Sequence, residues 1–175
     1  MRKVLISINP EWVCEILNKK KFMEVRKTIP KCELPCEVFS YCTKGKPYLY
    51  RIDDDNEFEL TNKLRFEEDW TADWTVKDYN AQNGKVVASF VLNEFDTIET
   101  NNFENWLQGN MYNVSDKQLK DMQLNQEELW GYGGGKTLYG WHIDDLVIYD
   151  KPKELSEFGI KRAPQSWVYC EKVEG

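Results

Sequence analysis

Residues 3–26 read KVLISINPEWVCEILNKKKFMEVR, and this stretch decides the fold. Over residues 3–8, Val4, Ile6 and Ile8 alternate with Leu5 and Ser7, a pattern that predicts a first strand. Asn9 and Pro10 then mark a helix start, because asparagine can cap free N–H groups and proline suits the first helical position. Apolar residues at helical spacing follow, and the lysine run at 19–21 closes the helix. A second strand is predicted over residues 22–29.

The second strand presents two charged side chains on one face. Glu24 and Arg26 are two residues apart, so they point the same way, about 7 Å from each other. Met23 and Val25 occupy the opposite face. The strand therefore sets a carboxylate beside a guanidinium, with Lys21 at the junction between helix and strand.

The remaining elements predict a mainly β chain. We expect a third strand at residues 37–43, a central strand at 86–92 with both faces apolar, short helices within 101–131, and strands at 136–143 and 146–149. Residues 44–83 are interpreted as an insertion that contains a hairpin. Strands and crossover-length helices do not alternate regularly, which argues against a doubly wound parallel sheet. The predicted class is α+β, mainly β: a strongly bent sheet or small barrel with one early helix.

Length and composition favour one soluble domain over residues 1–175. The 175 residues are 41% apolar and 30% charged, which excludes disordered, collagenous and coiled-coil chains. No apolar run approaches the roughly 20 residues that cross a bilayer. The start leads directly into a strand, and the five cysteines are an odd set, so we expect a cytoplasmic protein that contacts no membrane.

Charge is unevenly distributed along the chain. The net charge is −7, yet residues 1–50 hold ten Lys and Arg against five Asp and Glu, and residues 51–175 hold 13 against 25. An acidic protein is poorly suited to wrapping duplex DNA, since affinity grows with the number of phosphates neutralised. The basic first third leaves room for a local anion-binding face, or for an ordinary asymmetry of solvated charges.

The strongest candidate site is the group Lys21, Glu24 and Arg26. Arginine can donate two hydrogen bonds to a phosphate or a base edge, and glutamate can accept from an amino group. The alternative is a surface salt bridge beside a solvated lysine run. Aromatic side chains could stack on a base in a cleft, and Trp12 and Trp167 are the candidates because each flanks a segment already singled out.

Other motifs carry little chemistry. Gly131–Thr137 imitates a phosphate-binding loop but lacks its first glycine, so it predicts a helix stop and a turn into a strand. His142, the single histidine, fits a packed or hydrogen-bonded strand residue. One histidine with Cys32 and Cys36 does not make a zinc quartet, and we expect no metal and no cofactor. The tail is rich in hydrogen-bonding groups, with Gln165 and Ser166 beside Trp167.

Together these residues resemble the ASCH domain, a branch of the PUA-like superfamily. The family signature is Gly-x-Lys-x-x-Glu-x-Arg; Lys19 replaces the glycine here, while Lys21, Glu24 and Arg26 match. The segments GWHI at 140–143, YDKP at 149–152, LSEF at 155–158 and APQSW at 163–167 are similar to those of small bacterial and phage members. The resemblance covers residues 1–43 and 84–170.

The resemblance implies a small PUA-like β-barrel with a cleft beside the first helix. It implies a module that binds single-stranded RNA, a nucleotide or a modified nucleoside. The predicted binding residues are Lys21, Glu24, Arg26, Trp12, Gln165, Ser166 and Trp167.

Some members of the family are amidohydrolases that act on acylated cytidine nucleosides. An enzyme of that kind is the alternative, with Lys21 as nucleophile or base and Glu24 as proton carrier. Those enzymes carry threonine where Glu24 stands, and their second carboxylate lies in the helical region after the central strand, where Glu94 and Glu104 are merely nearby. A third option is a protein partner bound through the acidic, tryptophan-bearing part of the insertion, residues 67–74.

Overall fold

The computed structural model describes residues 2–52, 57–62 and 81–171. The described elements, in chain order, are β1 (Lys3–Ile8), α1 (Pro10–Leu17), β2 (Met23–Arg26), β3 (Cys36–Cys42), β4 (Tyr48–Ile52), β5 (Glu57–Thr61), β6 (Lys85–Leu92), β7 (Phe95–Ile98), α2 (Phe103–Leu107), α3 (Asp116–Met122), α4 (Gln126–Gly133), β8 (Leu138–His142), β9 (Asp144–Lys153), a 3-10 helix (Leu155–Phe158) and β10 (Trp167–Cys170). The mainly β class with an early helix is confirmed.

The strands pair in three sheets. The largest has the order β10-β1-β3-β6-β9, a second has the order β2-β8-β7, and β4 pairs with β5 as a hairpin. β1 and β3 run parallel, while the other named pairs are antiparallel. Within the described ranges no pairing closes these sheets into a ring, so the barrel stays a prediction.

The three inner strands of the five-stranded sheet, β1, β3 and β6, are buried on both faces. Val4 and Ile6 of β1 belong to the core that includes α1, whereas Leu5 belongs to a second core with Phe39 and Phe158 of the 3-10 helix. The central position predicted for residues 86–92 is confirmed, since β6 lies between β3 and β9. Burial on both faces explains why β1 and β6 read as nearly continuous apolar runs.

Helix α1 begins as predicted but is capped differently. Pro10 occupies the first turn, yet Asn9 makes no side-chain cap hydrogen bond. Its Oδ1 accepts from the hydroxyl of Thr43, 3.3 Å away. At the other end Asn18 bonds the backbone N and O of Phe58 in β5, at 3.0 and 2.9 Å. The predicted hairpin of the insertion is therefore attached to α1, while residues 67–74 lie outside the described residues.

Several predicted boundaries are wrong. β2 ends at Arg26 instead of extending to residue 29, and Ile29 is exposed. Helix α4 continues past Gly131 and ends at Gly133, with Gly134 in the left-handed conformation as its cap. β9 starts at Asp144, before the predicted strand. The sequence analysis missed β7 and β10, because both are short and only partly buried, so that neither shows a clean alternation.

Helices α3 and α4 each begin at a capping sequence. Ser115 and Asn125 each form a complete capping box, with Gln118 and Glu128 as the reciprocal partners. No helix in the described part of the chain has the length and apolar character that crossing a membrane requires.

Gly140→Ala tests how tightly β2 is pressed against its neighbour. Gly140 pairs with Val25, and a methyl group there would overlap Sδ of the buried Met23 and lie 3.5 Å from Cβ of Asp96. We expect a loss of about 1–3 kcal/mol in the free energy of unfolding, measured by chemical denaturation. Gly131→Ala is the control, because nothing lies within 4 Å of its added methyl group and alanine favours the helix. Equal stability of the two variants would contradict this packing.

Candidate functional site

A cavity of about 510 Å³ lies where β1, α1, β2, α4 and the segment before β10 meet. Six of the seven residues singled out in the sequence line it, and Trp167 does not. The lining residues are Ser7, Asn9, Trp12, Lys21, Glu24, Val25, Arg26, Thr43, Leu124, Glu128, Tyr132, Gln165 and Ser166.

Lys21 is buried at the entrance to β2, although it ends a run of three lysines. Lys19 and Lys20 are exposed, and Lys19 has a positive φ of 59°, which turns the chain after α1. The Lys21 amine donates to the backbone carbonyl of Met122, at the end of α3, and lies 5.0 Å from the ring centroid of Trp12. A helix C-terminus and an aromatic face both attract a cation. The surface alternative is therefore wrong for this lysine.

Burial lowers the pKa of the Lys21 amine below its ordinary value of 10.5. The positive charge of Arg26 lowers this pKa further, while the nearby carboxylate of Glu24 opposes the shift. Removing an ammonium from water disfavours its charged form, which is the dominant cause here. At a given pH, a larger fraction of the Lys21 amine is therefore neutral than at a solvated lysine.

Glu24 and Arg26 form a buried ion pair on the cavity side of β2. The Arg26 guanidinium lies 3.5 Å from Oε1 of Glu24, and the two side chains are 11% and 7% exposed. The same guanidinium donates to the carbonyl of Ser7 at 2.8 Å and to the hydroxyl of Ser166 at 3.3 Å. Arg26 therefore joins β2 to β1 and to the segment before β10.

Three buried polar atoms of the lining make no hydrogen bond within the described residues. They are Oε2 of Glu24, Nε of Arg26 and Oγ of Ser7. A buried polar atom without a partner costs about 1–3 kcal/mol, and more when the group is charged. Two residues of the cavity lining thus keep an unused hydrogen-bonding atom, an acceptor on Glu24 and a donor on Arg26.

The charged lining sums to zero. Lys21 and Arg26 are balanced by Glu24 and Glu128, so the cavity lacks the excess positive charge of a phosphate site.

Glu128 and Tyr132 are lining residues that sequence reasoning missed. They are four residues apart on α4 and share a face, but a helix stop at Gly131 had separated them. Burial raises the pKa of Tyr132, so its phenol stays protonated.

The tail reaches the cavity through pairing between β10 and β1. Trp167 pairs with Ile6, and the amide of Ser7 donates to the carbonyl of Ser166 at 2.8 Å. This brings Gln165 and Ser166 to the cavity. Trp167 instead donates its indole N–H to the hydroxyl of Thr28 at 2.9 Å and packs on Trp141.

His142 belongs to a separate polar cluster, as a hydrogen-bonded strand residue. Its Nε2 lies 2.9 Å from Asp96, which also accepts from Gln118. Burial raises the pKa of Asp96, but the hydrogen bonds from Gln118 and His142 outweigh this effect, and the pKa of Asp96 falls below its usual range.

Glu94 lies 3.7 Å from Nδ1 of His142, and neither Glu94 nor Glu104 lines the cavity. In the described part of the chain, no His, Cys, Asp and Glu side chains gather into a metal-binding group.

The titration of Lys21 can be shifted in opposite directions by its two charged neighbours. Glu24→Gln should lower the pKa of the Lys21 amine further, because it removes an attractive charge, and Arg26→Met should raise it, because it removes a repulsive one. Titration of ¹³C-labelled lysine side chains by NMR measures both shifts. A Lys21 resonance that titrates identically in wild type and both variants would contradict this electrostatic coupling.

No protein-family model matches the chain, and no curated protein matches it. Among solved structures it is similar to an ASCH protein from Zymomonas mobilis, with 16% identity and a TM-score of 0.58 over 97% of this chain and 88% of that one. Two variants of that protein, a tyrosine-to-phenylalanine and a serine-to-alanine substitution, match with TM-scores of 0.51 and 0.50, each at 16% identity. They cover 99% and 98% of this chain, and 93% and 89% of their own. The chain has the fold of an ASCH domain.

Proposed function

We propose that the cavity binds a nucleobase, presented by a nucleotide, a modified nucleoside or a short stretch of single-stranded RNA. The observation that carries this proposal is the buried Glu24–Arg26 pair with one acceptor and one donor unused. An amino group next to a ring nitrogen, as on cytosine or adenine, would donate to Glu24 and accept from Arg26. Such a base would relieve both unsatisfied atoms at once.

The aromatic lining supports the same guest. Trp12 is half-buried and faces the cavity, and Tyr132 lines it from α4. A base offers a π-face to aromatic side chains as well as a polar edge, and stacking is worth about 1–3 kcal/mol per base. The side chain of Gln165 and the hydroxyl of Ser166 add polar groups from the tail. The match of Lys21, Glu24 and Arg26 to the ASCH signature also favours nucleic acid, since that family is proposed to bind RNA.

The guest is recognised by its base more than by its phosphates. The cavity is neutral in sum and the whole chain carries −7, so few phosphates would be neutralised. Affinity for an oligonucleotide should therefore fall only shallowly as salt is raised. This favours a short footprint over a long track along a backbone.

Calorimetric titration with four nucleosides tests the proposal. Cytidine and adenosine should bind about tenfold more tightly than uridine and inosine, which lack the amino group next to a ring acceptor. Glu24→Gln should weaken this preference, because a neutral amide oxygen accepts a weaker hydrogen bond than a carboxylate does. Glu94→Gln is the matched control, because Glu94 is exposed and outside the cavity lining.

Two results would overturn the proposal. Wild-type protein that binds none of the four nucleosides, nor short oligonucleotides at low and high salt, would remove base recognition altogether. An unchanged preference in Glu24→Gln would remove the role assigned to that carboxylate.

A hydrolase acting on an acylated nucleoside is the second candidate. The lowered pKa of Lys21 and the presence of Glu128 in the same cavity favour it, since a neutral amine can act as nucleophile or base. Glu128 lies in the helical region after the central strand, where the amidohydrolases of the family carry their second carboxylate. Glu24, in place of their threonine, would then act as the proton carrier.

Lys21→Arg separates this activity from binding, because arginine keeps the positive charge and does not deprotonate. Wild-type turnover of acylated cytidine should rise with pH and level off below 10.5, the ordinary lysine pKa, as the neutral amine forms. The variant should lose turnover, which chromatography of the released cytidine measures. Absence of turnover by the wild type across a panel of acylated nucleosides would exclude the hydrolase.

The cellular setting and the insertion complete the proposal. All five cysteines are free, which supports a reducing compartment such as the cytoplasm. Residues 67–74 lie outside the described residues, and a partner bound there stays a prediction.

A further inference from the structure

Helix α2 exposes its apolar side chains. None of its five residues is buried, and Phe103, Trp106 and Leu107 are 71%, 41% and 63% exposed. Such surface gains about 25 cal/mol per Å² when it is removed from water. A short helix that contributes no buried side chain to its own domain, yet carries three large apolar ones, is suited to contacting something else.

Hydrogen bonds, together with the contact between Trp106 and Trp130, hold this helix in place. Asn102 caps it by accepting from the amide of Asn105 at 3.0 Å. The amide group of Asn101 donates to the carbonyls of Asn110 and Tyr112, at 3.0 and 3.2 Å, and so closes the loop around the helix. These bonds tie down the backbone that carries the aromatic side chains, and a preorganised backbone lowers the entropic cost of binding.

Beside α2 lies a second groove of about 390 Å³, which we name the α2 groove. It is lined by Thr100, Asn101, Phe103, Trp106, Trp130 and Gly135. The rings of Phe103 and Trp106 are nearly parallel, at 8° and 6.3 Å between centroids, and Trp130 meets Trp106 at 73° and 6.1 Å. Trp130 is two residues from both Glu128 and Tyr132, so it points to the opposite side of α4 from the cavity.

The charges around the α2 groove favour a basic partner. Glu99 and Glu104 adjoin lining residues in the chain, and Glu127 shares a face of α4 with Trp130, three residues away. Lys136, next to Gly135, is the one cation that adjoins a lining residue in the described chain. Carboxylates in excess repel a phosphate backbone and attract Lys or Arg.

The indole groups favour an extended peptide over other basic partners. The indole N–H groups of Trp141 and Trp167 donate to Thr28. The indole N–H groups of Trp106 and Trp130 have no acceptor among the described residues. A polyproline II segment has carbonyls that no internal hydrogen bond uses, and its proline rings pack on aromatic faces. It therefore matches both the flat rings and the unused donors.

We propose that the α2 groove binds a proline-rich segment of a partner protein, flanked by arginine or lysine, in the polyproline II conformation. This site goes beyond the nucleobase cavity and does not depend on it. The aromatic rings of Phe103, Trp106 and Trp130 hold the prolines, and the surrounding carboxylates hold the basic flanks.

Fluorescence anisotropy of a dye-labelled peptide tests the proposal with the full chain. The probe repeats Pro-Leu-Pro and carries two arginines at each end, and a second probe carries glutamates instead. Wild type should bind the arginine probe at least about tenfold more tightly than the glutamate probe. Trp106→Ala should weaken binding by about tenfold or more, because a central aromatic side chain anchors such a contact. Glu104→Lys should weaken it and reduce its dependence on salt.

Val147→Ala is the matched control, since Val147 is an exposed apolar residue of β9, 54% exposed, and is not a groove residue. It should bind like the wild type. Circular dichroism and chemical denaturation establish that Trp106→Ala is folded.

Three outcomes would overturn the proposal. The first is no binding of the arginine probe by the wild type. The second is equal binding by wild type and Trp106→Ala. The third is an occupant of another kind, either a single-stranded oligonucleotide that displaces the probe or a dimer of this chain that Trp106→Ala dissociates.

Discussion

The Arg26 guanidinium holds together the parts of the chain that enclose the cavity. It lies in β2, pairs with Glu24, and bonds the backbone of Ser7 in β1 and the hydroxyl of Ser166 before β10. These segments belong to two different sheets and to distant parts of the sequence. A buried charge that lost these partners would cost several kcal/mol, so the geometry of the cavity and the stability of this corner depend on the same group.

Lys21 is held by a different part of the fold. Its amine lies at the C-terminal end of α3, which is itself fastened to the three-stranded sheet through the bond between Gln118 and Asp96. The backbone amide of Phe22 also donates to the carbonyl of Asp121. The sheet, the helix and the start of β2 thus position one ammonium group, whose pKa burial lowers. These contacts give Lys21 a structural role at the edge of the cavity.

Helix α4 separates two surfaces of different character. Glu128 and Tyr132 face a neutral, hydrogen-bonding cavity, while Trp130 faces an aromatic groove with carboxylates around it. The helix is eight residues long and has few apolar side chains of its own to bury, with Leu129 and Gly133 as its buried residues. Its capping box and its contacts on either side place these side chains, and the two linings share no residue.

Local patterns in the sequence determined the strand–helix–strand order of the first 26 residues, the central strand at 86–92 and both capping boxes. These features depend on residues close together in the chain, and side-chain periodicity and capping groups can be recognised over such short distances. The pairing of Glu24 with Arg26 was also readable, because two residues on one face of a strand must point the same way.

The tertiary structure alone decided which side chains are buried and which distant residues they contact. Nothing local distinguishes Lys21 from Lys19 and Lys20, yet contact with the end of α3, about 100 residues later, buries it alone. Glu128 and Tyr132 were hidden by a glycine that the helix tolerates, and Trp167 is directed to Thr28 by its strand register instead of to the cavity. The sequence thus determined which side chains share a face of a strand or helix. Long-range packing decided which of those faces are buried together, because desolvation depends on the residues that lie opposite in space and not on the neighbours in the chain.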